Sequence, residues 1–161
     1  MALNPWLSNN FLDSCAFDPK YNPEDRAATE IFRLHKEDDL GIIITHSTQK
    51  EIDHPNAPAR VKREAGGLIY THDTSLTQQE RLLIQNIEST LAGNGKRDSF
   101  SQDARHIFES QKYGGYFITT DKRLIKKRQE IRQFCAANIL LASEFLSLVR
   151  EHTNPYKKSG P

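Results

Sequence analysis

Cysteine is scarce in this chain: two in 161 residues, Cys15 and Cys135, with no CxxC pair. That spacing excludes a disulfide framework and a cysteine-based zinc site, and suits two buried thiols in a reducing compartment. Charge of one sign is not in excess either, with 22 Lys and Arg against 21 Asp and Glu. Global charge therefore makes no case for a polyanionic partner, and any such case must rest on local clustering. Long apolar runs are missing. None approaches the length that crosses a bilayer, and Met1 to Trp6 lacks the basic start and apolar stretch of a secretion signal. These absences lead us to expect a cytoplasmic protein with no membrane partner. Internal repeats, low-complexity tracts and shifts in composition are also lacking. The expectation is a single domain over residues 1–152, with a helical variable part at 56–98 and a polar, frayed tail at 153–161.

What is present is an alternation of two patterns. Asn10-Phe11-Leu12-Asp13, Gly41-Ile42-Ile43-Ile44-Thr45, Tyr116-Phe117-Ile118-Thr119 and Asn138-Ile139-Leu140-Leu141 are short apolar runs that read as buried strands. Between them lie helix signals. Asn22-Pro23-Glu24-Asp25 combines a capping residue, a first-turn proline and acids, followed by Ala28, Ile31, Phe32 and His35 on one face. A second helix begins near Ser47, and a third is expected from Pro58 to Ala65, closed by Gly66-Gly67. Leu68-Ile69-Tyr70 reads equally as strand or loop. Thr77 to Glu80 has the form of a capping box, ahead of Leu83, Ile87 and Leu91. Ser101 opens a helix that stops at Gly114-Gly115, a basic helix spans Asp121 to Arg132, and Ser143 is expected to cap the last one. Strands alternating with helices imply a central, mainly parallel sheet of four or five strands, because parallel neighbours need crossover connections.

In such a sheet, sites form at the carboxyl ends of the strands. Asp13 closes the first strand, Glu51 lies about a turn beyond the second, Asp121 follows the third, and Asp103 opens the preceding helix. Each has a plain structural reading. Asp13 suits a turn, Glu51 could complete a capping box begun by Thr48, and Asp103 and Asp121 could favour the positive ends of their helices. Taken together, carboxylates that converge repel one another, and a cluster implies a bound cation. All-oxygen ligation suits magnesium or manganese, which activate water and stabilise phosphoryl charge.

The ordered set Phe11-Leu12-Asp13-Ser14, Ser47 to Ile52 with Glu51, Asp103-Ala104, and Tyr116 to Arg123 resembles the PIN domain, over roughly Phe11 to Leu148. The resemblance implies a three-layer α/β/α sandwich and cleavage of single-stranded RNA assisted by Mg2+ or Mn2+. It implies that Asp13, Asp103 and Asp121 hold the metal, that Glu51 completes the catalytic set, and that Thr119 supports the site. Many compact members are toxins silenced by a small antitoxin protein, so an antitoxin and a second copy of the chain are the protein partners to look for. Ser14-Cys15 departs from the more usual threonine and asparagine after the first acid.

Lys122, Arg123, Lys126 and Lys127, with Arg128 and Arg132 behind them, crowd the helix after Asp121. They are candidate phosphate contacts, although such a run also serves as a solvated face. His106, one turn from Asp103, could touch the site, although a surface or packing role is the plainer reading. Cys15 has no evident base partner. Gly93 to Arg97 lacks the spacing of a phosphate loop. Two rival functions follow. A haloacid-dehalogenase-like phosphatase needs a second aspartate where Cys15 stands. A non-catalytic RNA- or protein-binding module would be expected to lose acids, and all four are present.

Overall fold

The structure, a computed structural model, describes residues 3–17, 19–57, 59–65, 69–70 and 75–157. Five strands form one sheet: β1 (Asn10–Leu12), β2 (Ile42–Ile44), β3 (Ile69–Tyr70), β4 (Tyr116–Thr119) and β5 (Asn138–Leu141). Their order is β3-β2-β1-β4-β5, and every pairing is parallel. Among the described residues the connecting and covering helices are α1 (Glu24–Asp38), α2 (His46–Ile52), α3 (Ala59–Ala65), α4 (Gln78–Ala92), α5 (Ser101–Tyr113), α6 (Lys122–Arg132) and α7 (Ala142–Glu151). The architecture is the expected three-layer α/β/α sandwich.

Alternation along the strands builds the two interfaces, because successive side chains leave a strand on opposite faces. Leu12, Ile42, Ile44, Tyr116 and Ile118 join one apolar cluster with Ile31 and Phe32 of α1 and Phe145 and Val149 of α7. Phe11, Phe117 and Ile139 face the other way, against Ile87 of α4, Ala104, Ile107 and Phe108 of α5, and Leu124 and Ile131 of α6. Each such side chain, fully buried, contributes about 1.5–3 kcal/mol of transfer free energy. The sheet is thus gripped from both sides, and the strand ends are fixed relative to the helices that follow them.

Local details refine the expected boundaries. The Thr77 capping box forms in full: its hydroxyl accepts from Glu80 N at 3.1 Å, and Glu80 accepts from Thr77 N at 3.0 Å. Gly115 holds a φ of 124°, and a Cβ there would collide with the Asn9 carbonyl oxygen, so only glycine lets β4 start this close to the N-terminal segment. Two short 3-10 turns, Ser14–Phe17 and Arg97–Phe100, were not anticipated. Ser143 does not cap α7 as expected. Instead buried Glu24, 119 residues away, accepts from Ser143 N at 2.9 Å and from its hydroxyl, while Glu144 accepts from Leu141 N. Pro23, rather than Asn22, is the N-cap of α1, and no side chain caps it. His35 leaves the apolar face and meets the Leu40 carbonyl through Nδ1 at 2.7 Å. Beyond α7, Asn154 Nδ2 donates to the Asp38 carbonyl at 3.1 Å. Expectations for Pro58, Gly66, Gly67 and Leu68 fall outside the described residues. Among the described residues, no helix is long and apolar enough to cross a membrane.

Candidate functional site

From β1 the sheet extends through β2 to β3 on one side, and from β4 to β5 on the other. Where the winding reverses, the loops leaving the carboxyl ends of two neighbouring strands turn apart and open a crevice between β1 and β4. Asp13 is the first residue past β1, Thr119 is the last of β4, and Asp121 caps α6. Asp103 lies in the first turn of α5.

Asp13 is buried, 3% exposed, and its carboxylate is held from several directions. Thr119 donates to Oδ2 at 2.9 Å, the Cys15 thiol to Oδ2 at 3.3 Å, and Ser14 N to Oδ1 at 2.9 Å. His106 Nδ1 faces Oδ1 at 3.4 Å, an electrostatic contact longer than an ordinary hydrogen bond. Burial alone would push the Asp13 carboxyl up, but His106 foremost, then Cys15 and Thr119, outweigh it and hold it below the usual range. The group therefore stays ionised. The departure at Ser14-Cys15 is thus made good, since a backbone N–H and a thiol supply the polar contacts. Burial and the charge of Asp13 push the Cys15 thiol up to about 12. A thiol that stays protonated is a donor here, not a nucleophile.

Thr119 links two of the acids. Its hydroxyl donates to Asp13 and accepts from Asp121 N at 3.0 Å. Asp121 in turn accepts from Arg123 N at 2.9 Å, which fixes the start of α6. Its carboxylate also accepts from Arg123 Nη2 at 2.7 Å and from Nε at 3.1 and 3.2 Å. Asp103 has a different environment. No described residue donates a hydrogen bond to its carboxylate. Burial, then the charges of Asp13 and Asp121, push it up to about 6, with His106 and Arg123 opposing. Phe100 is the N-cap of α5 and Asp103 lies in its first turn, where its charge favours the helix N-terminus.

Glu51 lies within α2, but its side chain is outside the described residues. The competing account of it is nonetheless weakened. Thr45 Oγ1 accepts from Thr48 N at 3.3 Å. Thr48 is thus already inside α2 and is not the cap that a box ending at Glu51 would need.

His106 is wholly buried, as a packing residue would be, and it also touches the site, against Asp13. The signal for it was its position three residues after Asp103, which turns both toward one side of α5. The basic helix is split along its length, because α6 runs away from the crevice. Lys122 and Arg123 flank the acids. Lys127 lies 3.5 Å from Glu130. Arg128 pairs with Glu144 at 2.7 Å, and Arg132 binds Asn138 at the far end of β5. Tyr116 and Phe117 of β4 are buried in the core.

The carboxylates fit a hard divalent cation in donor chemistry: all oxygen, with Asp103 raised first by burial and then by the charges of Asp13 and Asp121. Among the described residues, no three His, Cys, Asp or Glu side chains stand as a ready-made cage. Asp121 is drawn instead onto Arg123, a cation already at hand. Compared with known proteins, the chain matches no family model and no curated protein.

Proposed function

We propose that the chain is a metal-dependent endoribonuclease that hydrolyses phosphodiester bonds of single-stranded RNA, as its resemblance to the PIN domain implies. The observation that carries the reading is the meeting of Asp13, Asp103 and Asp121, from three distant parts of the sequence, at the switch point of a parallel sheet. Helix ends account for Asp103 and Asp121 singly, but like charges brought to short range are costly. Asp13, Asp103 and Asp121 would hold Mg2+ or Mn2+, with Glu51 completing the set. When bound, such an ion lowers the pKa of water and neutralises charge on a phosphoryl oxygen.

The protein's own part is to hold the carboxylates in place. Thr119, Cys15 and His106 keep Asp13 ionised and oriented. Thr119 ties the same hydroxyl to the start of α6, so Asp121 is registered against Asp13. Arg123 neutralises Asp121 in the resting protein and is free to turn to a phosphate once another cation takes that role. Under this reading a compact nuclease of this kind is a toxin, silenced by a small protein antitoxin, and a second copy of the chain is a further candidate partner.

The test is cleavage of single-stranded RNA by the purified protein with manganese or magnesium, alongside Asp13→Asn and Asp103→Asn. Cleavage by the wild type and its loss in both folded variants supports the reading. Hydrolysis of small phosphomonoesters instead would favour a phosphatase. RNA binding with no metal site would leave a non-catalytic module.

A further inference from the structure

The first turn of α6 carries two cations, and each lies over an aromatic ring. Lys122 Nζ is 4.6 Å from the centroid of Tyr21, and the Arg123 guanidinium carbon is 5.5 Å from that of Phe100. The rings come from opposite sides of the crevice. Tyr21 belongs to the loop between β1 and α1, where its hydroxyl donates to the Thr120 carbonyl at 2.5 Å. Phe100 immediately precedes α5, three residues before Asp103. Both rings are half-buried and both cations are exposed. Asp13, Thr119 and Asp121 stand at the carboxyl ends of β1 and β4, the same edge of the sheet from which the Tyr21 loop leaves and at which α6 begins.

We propose that Tyr21–Lys122 and Phe100–Arg123 are two nucleotide subsites, one on each side of the scissile phosphate. This rests on reading the acid cluster as a phosphodiester site. In the resting protein each cation covers its ring. When a single strand enters, a base takes the ring face and the cation moves to the neighbouring phosphate. A stacked ring accepts any base, because every base has a π face, while the cation supplies the electrostatic part. The chemistry selects an unpaired strand, since bases in a duplex are already stacked on their neighbours. The rings are anchored for this role, Tyr21 by its bond to Thr120 and Phe100 by packing on the cluster that covers one face of the sheet.

The experiment measures binding of a fluorescent single-stranded oligouridylate by anisotropy in EDTA, so that neither metal nor cleavage enters. Tyr21→Leu and Phe100→Leu keep apolar bulk and remove the π face. Each is expected to weaken binding by about five- to a hundredfold with an unchanged salt slope. Phe100→Tyr is expected to bind as the wild type does, and an abasic oligonucleotide is expected to be indifferent to both Leu changes. Lys122→Gln and Arg123→Gln are expected to flatten the log–log salt slope by about 0.7 each. Wild-type affinity in both Leu variants, or an equal loss on the abasic strand, overturns the proposal. The nuclease reading fails separately. If manganese-supported cleavage never appears while the rings still govern binding, the subsites stand and the catalytic reading falls. If cleavage proceeds and the Leu variants bind normally, the reverse holds.

Discussion

Replacing Asp103 by Asn separates a site residue from a helix-end residue through stability alone. In the metal-free protein, burial and the charges of Asp13 and Asp121 push the Asp103 carboxyl up to about 6, from 3.8. At low pH the group is protonated in both folded and unfolded chains, and it costs nothing. As pH rises through 4 the unfolded chain ionises first while the folded one keeps its proton, so stability falls until both are ionised above about 6. At about 1.4 kcal/mol per pH unit the full effect is about 3 kcal/mol. The carboxylate is only partly buried, and solvent screening reduces this to about 1–2 kcal/mol. Asn keeps the shape and never ionises. The variant should be the more stable at pH 7.5 in EDTA, melting about 2–8 °C higher, less a few tenths of a kcal/mol for the lost helix-end charge. The advantage should vanish below pH 4. Melting curves across pH 3.5 to 8 measure it. A variant that melts below the wild type at pH 7.5, or whose advantage persists at pH 3.5, refutes the reasoning.

Three further outcomes follow. Lys126→Ala should flatten the salt dependence of RNA binding, by about 0.7 in log–log slope for a lost single-strand phosphate contact, whereas Arg132→Ala, at the far end of α6, should leave the slope unchanged. Glu24→Gln should destabilise the fold by about 1–3 kcal/mol, because the buried carboxylate satisfies Ser143 at the start of α7. Urea titration checks it, and an unchanged midpoint would remove Glu24 from the interface. Expression of the wild type alone should arrest growth of a bacterial host, and Asp13→Asn should not. Normal growth with an enzyme active in vitro would argue against a toxin role.

The sheet was legible because burial on both faces leaves a strong imprint. Ile42 to Ile44 and Tyr116 to Thr119 admit almost no polar residue, and their order among the helices dictates parallel pairing. The positions of Asp13, Asp103 and Asp121 were legible because each stands just past a strand or at a helix start, where the backbone rather than a distant partner sets position, whereas Glu51 lies near the end of α2 with its side chain outside the described residues. What was hidden depends on contacts between distant residues. Asp13 is held by Thr119 across 106 residues of sequence, and Glu24 reaches Ser143 across 119. His106 looked like any helical histidine until α5 was laid against β1 and β4. The basic run looked uniform, yet a helix that starts at the crevice and runs away from it carries Arg128 onto Glu144 and Arg132 onto Asn138, away from the acids.

The central claim is that carboxylates at this switch point hold a catalytic divalent ion. The most direct test follows cleavage of a single-stranded RNA oligonucleotide by the purified protein, first in excess EDTA and then with manganese restored, with folded Asp13→Asn in parallel. No cleavage is expected in EDTA, with its return once manganese is restored and none by the variant. Undiminished cleavage in EDTA, or an active Asp13→Asn protein, would contradict it.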